Sequence, residues 1–228
     1  MARADLHLHT RHSARATDWL LRKVDFPASC SEPGELYEAL REKGFDYVTF
    51  TDHDTIDGCL EIADRPGVFL SEEITAFFPE DDVKVHLLAW GITEAQHGEI
   101  QQLRRDIYDL ARWLKEQGIT HAVAHPFWPV DERLSVDHWE RLVLLFRHFE
   151  TVNGLRAPLL GQVAEFALTR LTPDDIERFA AERNLAPLWD EPWRKVFTGG
   201  SDDKGGIYEG RAWTEAEGGS PAEFLAAV

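Results

Sequence analysis

Cysteine is scarce. The chain has two, Cys30 and Cys59, far apart and in no CxxC pair. So few thiols exclude a disulfide framework and a thiolate zinc site, leaving room for one disulfide at most. Long apolar runs are missing as well, and no stretch approaches the ~20 residues that a membrane-spanning helix needs. Met1-Ala2-Arg3-Ala4-Asp5 runs straight into an extended segment, with neither the apolar region nor the cleavage site of a secretory signal. These absences predict a reduced, cytoplasmic setting and no membrane partner. Positive charge is also in deficit, with 24 Lys and Arg against 41 Asp and Glu and a net charge of −17. Nucleic-acid binders concentrate Lys and Arg, so a polynucleotide is not the expected partner. A nucleotide or a phosphodiester end is still possible where a metal and a few local cations overcome the acidic background. Repeats, low-complexity tracts and linkers are absent, so residues 1–228 are expected to form one domain. Nothing in the sequence predicts an oligomeric state.

What is present is a composition able to build a core, 43% hydrophobic and 11% aromatic. Asp5-Leu6-His7-Leu8-His9-Thr10 alternates His with Leu. On a strand, residues i and i+2 share a side, so both imidazoles can reach one metal ion. The same alternation also describes a half-buried strand with solvated histidines.

Further along, Ser31 to Gly44 reads as a helix closed by its glycine. Strands are predicted at 45–50, 68–71, 83–90, 119–124, 149–153 and 196–198. A single long helix between Thr93 and Gly118 carries Ile100, Leu103, Ile107, Leu110 and Leu114 at three- and four-residue steps. Helices also start near Ser135, Pro158 and Thr172. Arg211 to Thr214 reads as a last short strand, and the helix opened by Ser220 runs to Val228 without a cap, as in a domain cut from a longer protein.

Strands alternating with helices predict an α/β fold with parallel strands joined by crossovers, as a barrel or an open sheet. Functional groups in such folds sit at the carboxyl ends of strands. His7, His9, Asp52, His53, Glu73, His125, Glu150 and Asp202 all fall at or just past a predicted strand end, which points to one rim carrying one site. Imidazoles mixed with carboxylates suit zinc, manganese or iron(II) better than magnesium or calcium. A carboxylate can also bridge two metals ~3.5–4 Å apart, the arrangement that clamps a hydroxide for hydrolysis.

Six motifs in one order, from DLHLHT at 5–10 through TDHDT at 51–55, Glu73-Ile74-Thr75, His86-Leu87-Leu88, Ala124-His125-Pro126 and Gly200-Ser201-Asp202, resemble the PHP superfamily, named for polymerase and histidinol phosphatase. The resemblance spans nearly the whole chain. It implies a distorted (β/α)7 barrel, two divalent transition metals (Zn, Mn or Fe) and a phosphoesterase that hydrolyses a small phosphate mono- or diester through a metal-bridging hydroxide. It places His7, His9, Glu73 and Asp202 on one metal, with Glu73 bridging to a second held by His86 and His125. Members with a third metal use the His of TDHD, here His53, but this chain has Ala14 and Arg15 in the loop and Lys204 where a further His is expected. Cations cannot ligate a metal, so a third metal in that geometry is not expected. Arg15 and Lys204 are instead candidates to hold a phosphate oxygen, with His53 and Asp52 as further catalytic candidates.

Asp52 and Asp54 are expected to orient ligating histidines, and His12 is near enough in sequence to substitute as a ligand. His97, His138 and His148 are expected on helices away from the site, and His121 in the core. Trp19, Trp128 and Trp193 fall in loops near the rim, where they can line a pocket. Two alternatives stay open: an amidohydrolase acting on C–N bonds, and a non-catalytic metal-binding module of a larger protein.

Overall fold

In a computed structural model describing residues 1–13 and 29–228, the described chain runs β1 (Ala2–Ala4), α1 (Pro33–Glu42), α2 (Asp57–Leu60), β2 (Ser71–Phe77), β3 (Lys84–Trp90), α3 (Glu94–Leu103) and α4 (Ile107–Glu116). It continues through β4 (Thr120–Val123), α5 (Val136–Leu145), β5 (His148–Asn153), α6 (Pro158–Thr169), α7 (Pro173–Arg183), β6 (Val196–Gly200), β7 (Thr214–Ala216) and α8 (Pro221–Ala227). Five strands form one sheet in the order β2-β3-β4-β5-β6, and β1 pairs with β7.

The α/β class holds, but the sheet is open and only partly parallel. β4, β5 and β6 are parallel, whereas β3 runs antiparallel to both β2 and β4. The turn through Pro79 to Asp82 is too short for a crossover, so β2 and β3 form a hairpin. Of the strands expected at 5–10, 45–50 and 68–71, only Ser71 enters a ladder, as the start of β2; the rest make isolated bridges, Leu8 with Asp203, Val48 with Val68 and Tyr47 with Ala4, and His53 bridges to Glu73 just beyond them. Side chains take over the backbone groups that a ladder would use. Leu8 N donates to Thr51 Oγ1, Thr10 N to Asp52 Oδ1, and Ser201 N to buried Asp5.

The sheet is buried on both faces. Along β3, Val85, Leu87 and Ala89 join the core under α4 and α5, while Leu88 and Trp90 join a second cluster with Leu6 and Phe224. His86 shares the Leu88 side by the two-residue period. In β2, Ile74 and Ala76 face the helices and Glu73 faces away from them. Glu72, on the helix side, pairs with His97 of α3 at 2.9 Å.

The long helix expected between 93 and 118 is two. Asp106 accepts N–H bonds from Tyr108 and Asp109 and starts α4 as an N-cap, a local signal masked by apolar periodicity that continues across the break. His148 opens β5 instead of lying on a helix. Both cysteines are free. Among the described residues no helix is long and apolar enough to cross a membrane.

His121 is buried in β4, with Nδ1 2.7 Å from Ile119 O and its ring against Phe146 and Trp189. Burial pushes it down from 6.5 to about 4. Between those values the unfolded chain binds the proton and the folded chain does not. Its contribution is therefore complete above pH 6.5 and falls as pH drops toward 4, by up to about 3 kcal/mol. Urea midpoints of wild type should decline over this window, and those of His121→Leu should decline less. Parallel declines would remove His121 from the account.

Candidate metal centre

His7 and His9 project to one side of an extended segment whose Leu6 and Leu8 are fully buried. Glu73 comes from within β2 and His86 from within β3, not from strand ends, because the antiparallel hairpin brings mid-strand positions to the site. His53 follows the second extended segment, His125 follows β4 and Asp202 follows β6. His125 and Asp202 have φ of 29° and 52°, positions rarely adopted by side-chain-bearing residues. Such backbone strain, held in place by surrounding structure, clusters at functional sites.

Glu73 stands at the middle. Its Oε2 lies 3.3 Å from His7 Nε2, 3.2 Å from His9 Nε2 and 3.0 Å from His53 Nδ1. Its Oε1 lies 2.7 Å from His86 Nδ1 and 3.1 Å from His125 Nε2. Asp202 Oδ1 adds contacts of 3.5 Å to His7 and 3.4 Å to His9. Three donor sets, His7-His9-Glu73, His7-His125-Asp202 and His53-Glu73-His86, each gather their atoms within 4.8 Å.

These residues fit a metal ion. His7 Nε2, His9 Nε2, His86 Nδ1 and Glu73 Oε2 are buried without an aligned hydrogen-bond partner, yet they converge. Buried polar atoms left unpaired are costly, and several aimed at one point suit a cation. The charge states divide. Burial would lower His7, but Glu150, Asp202 and Glu73 outweigh it and hold His7 well above its ordinary value, so it must give up a proton before it can ligate. The other shifted groups need no such change. Burial drives His53 well below its ordinary value, aided by His9, Lys204 and His86 against the pull of Glu73, and burial also lowers His86. Burial alone would raise Glu73 and Asp202. His53, His86 and His7 reverse this for Glu73, as His7 and Lys204 do for Asp202, so both carboxyls lie well below the usual range. Neutral imidazoles beside ionised carboxylates are a ligand set.

The orienting groups differ from expectation. Asp52 accepts from Thr10 N and Thr10 Oγ1, both at 2.6 Å, and Asp54 from Thr75 N and Arg104. Neither makes a hydrogen bond to a histidine among the described residues, and Asp52 does not enter any donor set. Asp52 instead ties two loops. The carboxylate role falls to Glu150, whose Oε1 lies 2.8 Å from His7 Nδ1 and whose Oε2 accepts from His125 N. Ser13 Oγ lies 3.0 Å from His9 Nδ1 and accepts from His53 N. His53, expected as a catalytic group, shares a donor set with Glu73 and His86. His12 turns away to Glu61 at 2.8 Å. Ala14, Arg15 and Trp19 lie outside the described residues.

Two cations close the mouth. Lys204 Nζ donates to Asp202 Oδ1 at 3.0 Å, and Arg156 Nε lies 3.2 Å from Asp202 Oδ2. Arg156 follows β5 by three residues, a rim position, but no motif marks it. Lys204, Arg156, Trp128, Asp202 and the inner histidines line a cavity of about 270 Å³. Trp193 packs against the main core instead.

No family model matches the chain. A 59-residue stretch is 41% identical to an uncharacterized protein of Methanocaldococcus jannaschii, covering 26% of this chain and only a third (33%) of that relative. Among solved structures, a two-domain protein from Bacteroides vulgatus containing a predicted PHP-like metal-dependent phosphoesterase aligns with a TM-score of 0.56 at 19% identity, over 99% of this chain and 62% of that one. An amidohydrolase from Chromobacterium violaceum, with bound sulfate and no metal, aligns at 0.53 with 15% identity over 94% and 92% of the two chains. The chain therefore shares the fold of PHP-like, metal-dependent hydrolases.

Proposed function

We propose that the chain is a metal-dependent phosphoesterase acting on a small phosphate mono- or diester. The observation that carries this reading is the division of Glu73, whose two oxygens face two separate groups of imidazoles beside a pair of cations. His7 and His9 on the Oε2 side, with Asp202, and His86 and His125 on the Oε1 side are the proposed ligands of two divalent transition metals, with His53, 3.0 Å from Oε2 and in one donor set with His86, between them. Bound there, such ions supply Lewis-acid polarisation of a phosphoryl oxygen and an acidified water.

The protein's own groups do the rest. Glu150 and Ser13 hold the rings of His7 and His9 in orientation. Lys204 and Arg156 offer N–H donors to the non-bridging phosphate oxygens, where negative charge grows in the transition state. In a chain of net charge −17, two cations at one mouth favour an anionic substrate. A neutral C–N substrate has no comparable use for them, which ranks the amidohydrolase reading second.

Metal analysis combined with hydrolysis of 4-nitrophenyl phosphate and bis(4-nitrophenyl) phosphate tests the reading. Wild type should hold two ions and turn over at least one ester. Lys204→Ala should keep its metal and lose about 100-fold in kcat/KM, the scale of one transition-state donor. Metal-loaded protein that cleaves amides but no phosphate ester would overturn the proposal. Inactive wild type that gains activity as Lys204→His would favour the non-catalytic module.

A further inference from the structure

A second cavity, of about 330 Å³, opens beside the metal centre between the turn at Pro126 to Trp128, the end of β5 and helix α6. It shares His125, Trp128 and Arg156 with the cavity over the metal ligands, so the two cavities lie side by side. From these features we infer that this cavity is the leaving-group subsite and that it selects esters of flat, predominantly apolar alcohols, aryl or arylmethyl, over polyhydroxylated ones. The inference rests on the phosphoesterase reading and adds the substrate class.

Three observations lead there. The walls are apolar, from Phe127, Trp128, Val152, Pro158, Leu160 and Ala164. Trp128 is 40% exposed and carries the Arg156 guanidinium 4.9 Å from its ring centre, placing an aromatic wall directly beside a phosphate-holding cation. Of the polar side chains that line it, Asn153 is already committed. Asn153 Nδ2 donates to Glu150 and Asp202, and its Oδ1 accepts from Leu155 N and Arg156 N. A sugar's hydroxyls would lose water against Phe127, Trp128, Leu160 and Ala164 and find uncommitted partners only toward exposed Gln162 and Glu165, whereas an apolar ring gains by burial. The cavity is also preformed. Gly161 lets α6 sit directly on β5, since a Cβ there would lie 1.9 Å from Thr151 O.

The test uses phosphonates, in which a carbon replaces the ester oxygen, titrated calorimetrically into the metal-loaded full chain. 1-Naphthylmethylphosphonate should bind at least tenfold more tightly than methylphosphonate. Leu160→Trp, which fills the cavity, and Leu160→Asp, which charges it, should each bring that ratio close to one, with melting curves confirming that at least one variant is folded. Equal affinities in wild type, or a ratio kept in both folded variants, would overturn the subsite. A preserved binding preference in a protein that hydrolyses none of 1-naphthyl phosphate, 4-nitrophenyl phosphate and bis(4-nitrophenyl) phosphate would instead overturn the phosphoesterase reading, and with it the leaving-group role, leaving a cavity that binds flat apolar groups.

Discussion

Replacing Glu73 by glutamine should lower hydrolysis by ~1,000-fold or more, equivalent to about 4 kcal/mol of transition-state stabilisation, and reduce bound metal from two ions per chain to one or none. The size follows from position. Glu73 is fully buried, and each of its oxygens approaches a different set of imidazoles, so losing one oxygen and the charge removes a donor shared by both proposed ions. The amide has nearly the same volume, so packing against β3 is preserved. Its N–H₂ group would face nitrogen atoms that themselves need a cation or a proton, which adds repulsion where attraction was. Elemental analysis, turnover and the rise in melting temperature on adding Mn²⁺ form the readout. Wild type should gain stability with metal, because a ligand that binds only the folded state stabilises it, and the variant should gain little. A Glu73→Gln protein with two ions and normal turnover would refute the bridging role.

Much of this site was legible in the sequence because its signals are local. The i, i+2 spacing of His7 and His9 needs only a few residues to read, and short motifs that resemble the PHP superfamily pick out Glu73, His86, His125 and Asp202. The structure gathers His7, His9, Glu73, His86, His125 and Asp202, together with His53, into three overlapping donor sets. The positioning shell was not legible, because its partners are distant in the chain. Glu150 reaches His7 across 143 residues, and Arg156 is one arginine among many until β5 and β6 pair. The chemically plausible assignment of Asp52 to a histidine failed because Thr10, brought near by the same loop, offers it two shorter bonds. The barrel failed for a related reason. Polar side chains of Asp5, Thr51 and Asp52 replace ladder bonds around the first segment, and that competition is not visible in hydrophobic periodicity.

Gly200→Ala should destabilise the fold by about 3 kcal/mol and empty the site at the same time, although position 200 carries no ligand. A Cβ at Gly200 would lie 2.4 Å from both the Cβ and the backbone N of His7 and 2.8 Å from its Cα. Two of those atoms are backbone, so no rotamer change relieves the clash and the end of β6 must move away from the first segment. The same approach is fastened by Asp202 N donating to His7 O at 2.6 Å. Movement therefore separates Asp202 from His7 and His9, and with it the ligands assigned to one ion. Gly98→Ala in α3 is the control, because a Cβ there meets nothing within 4 Å and alanine favours the helix. Its melting temperature should equal or exceed that of wild type, with full metal content. If Gly200→Ala melts like wild type but binds less metal, the approach serves the site alone. If it also keeps both ions, the contact between β6 and the His7 segment is not what holds the ligands together.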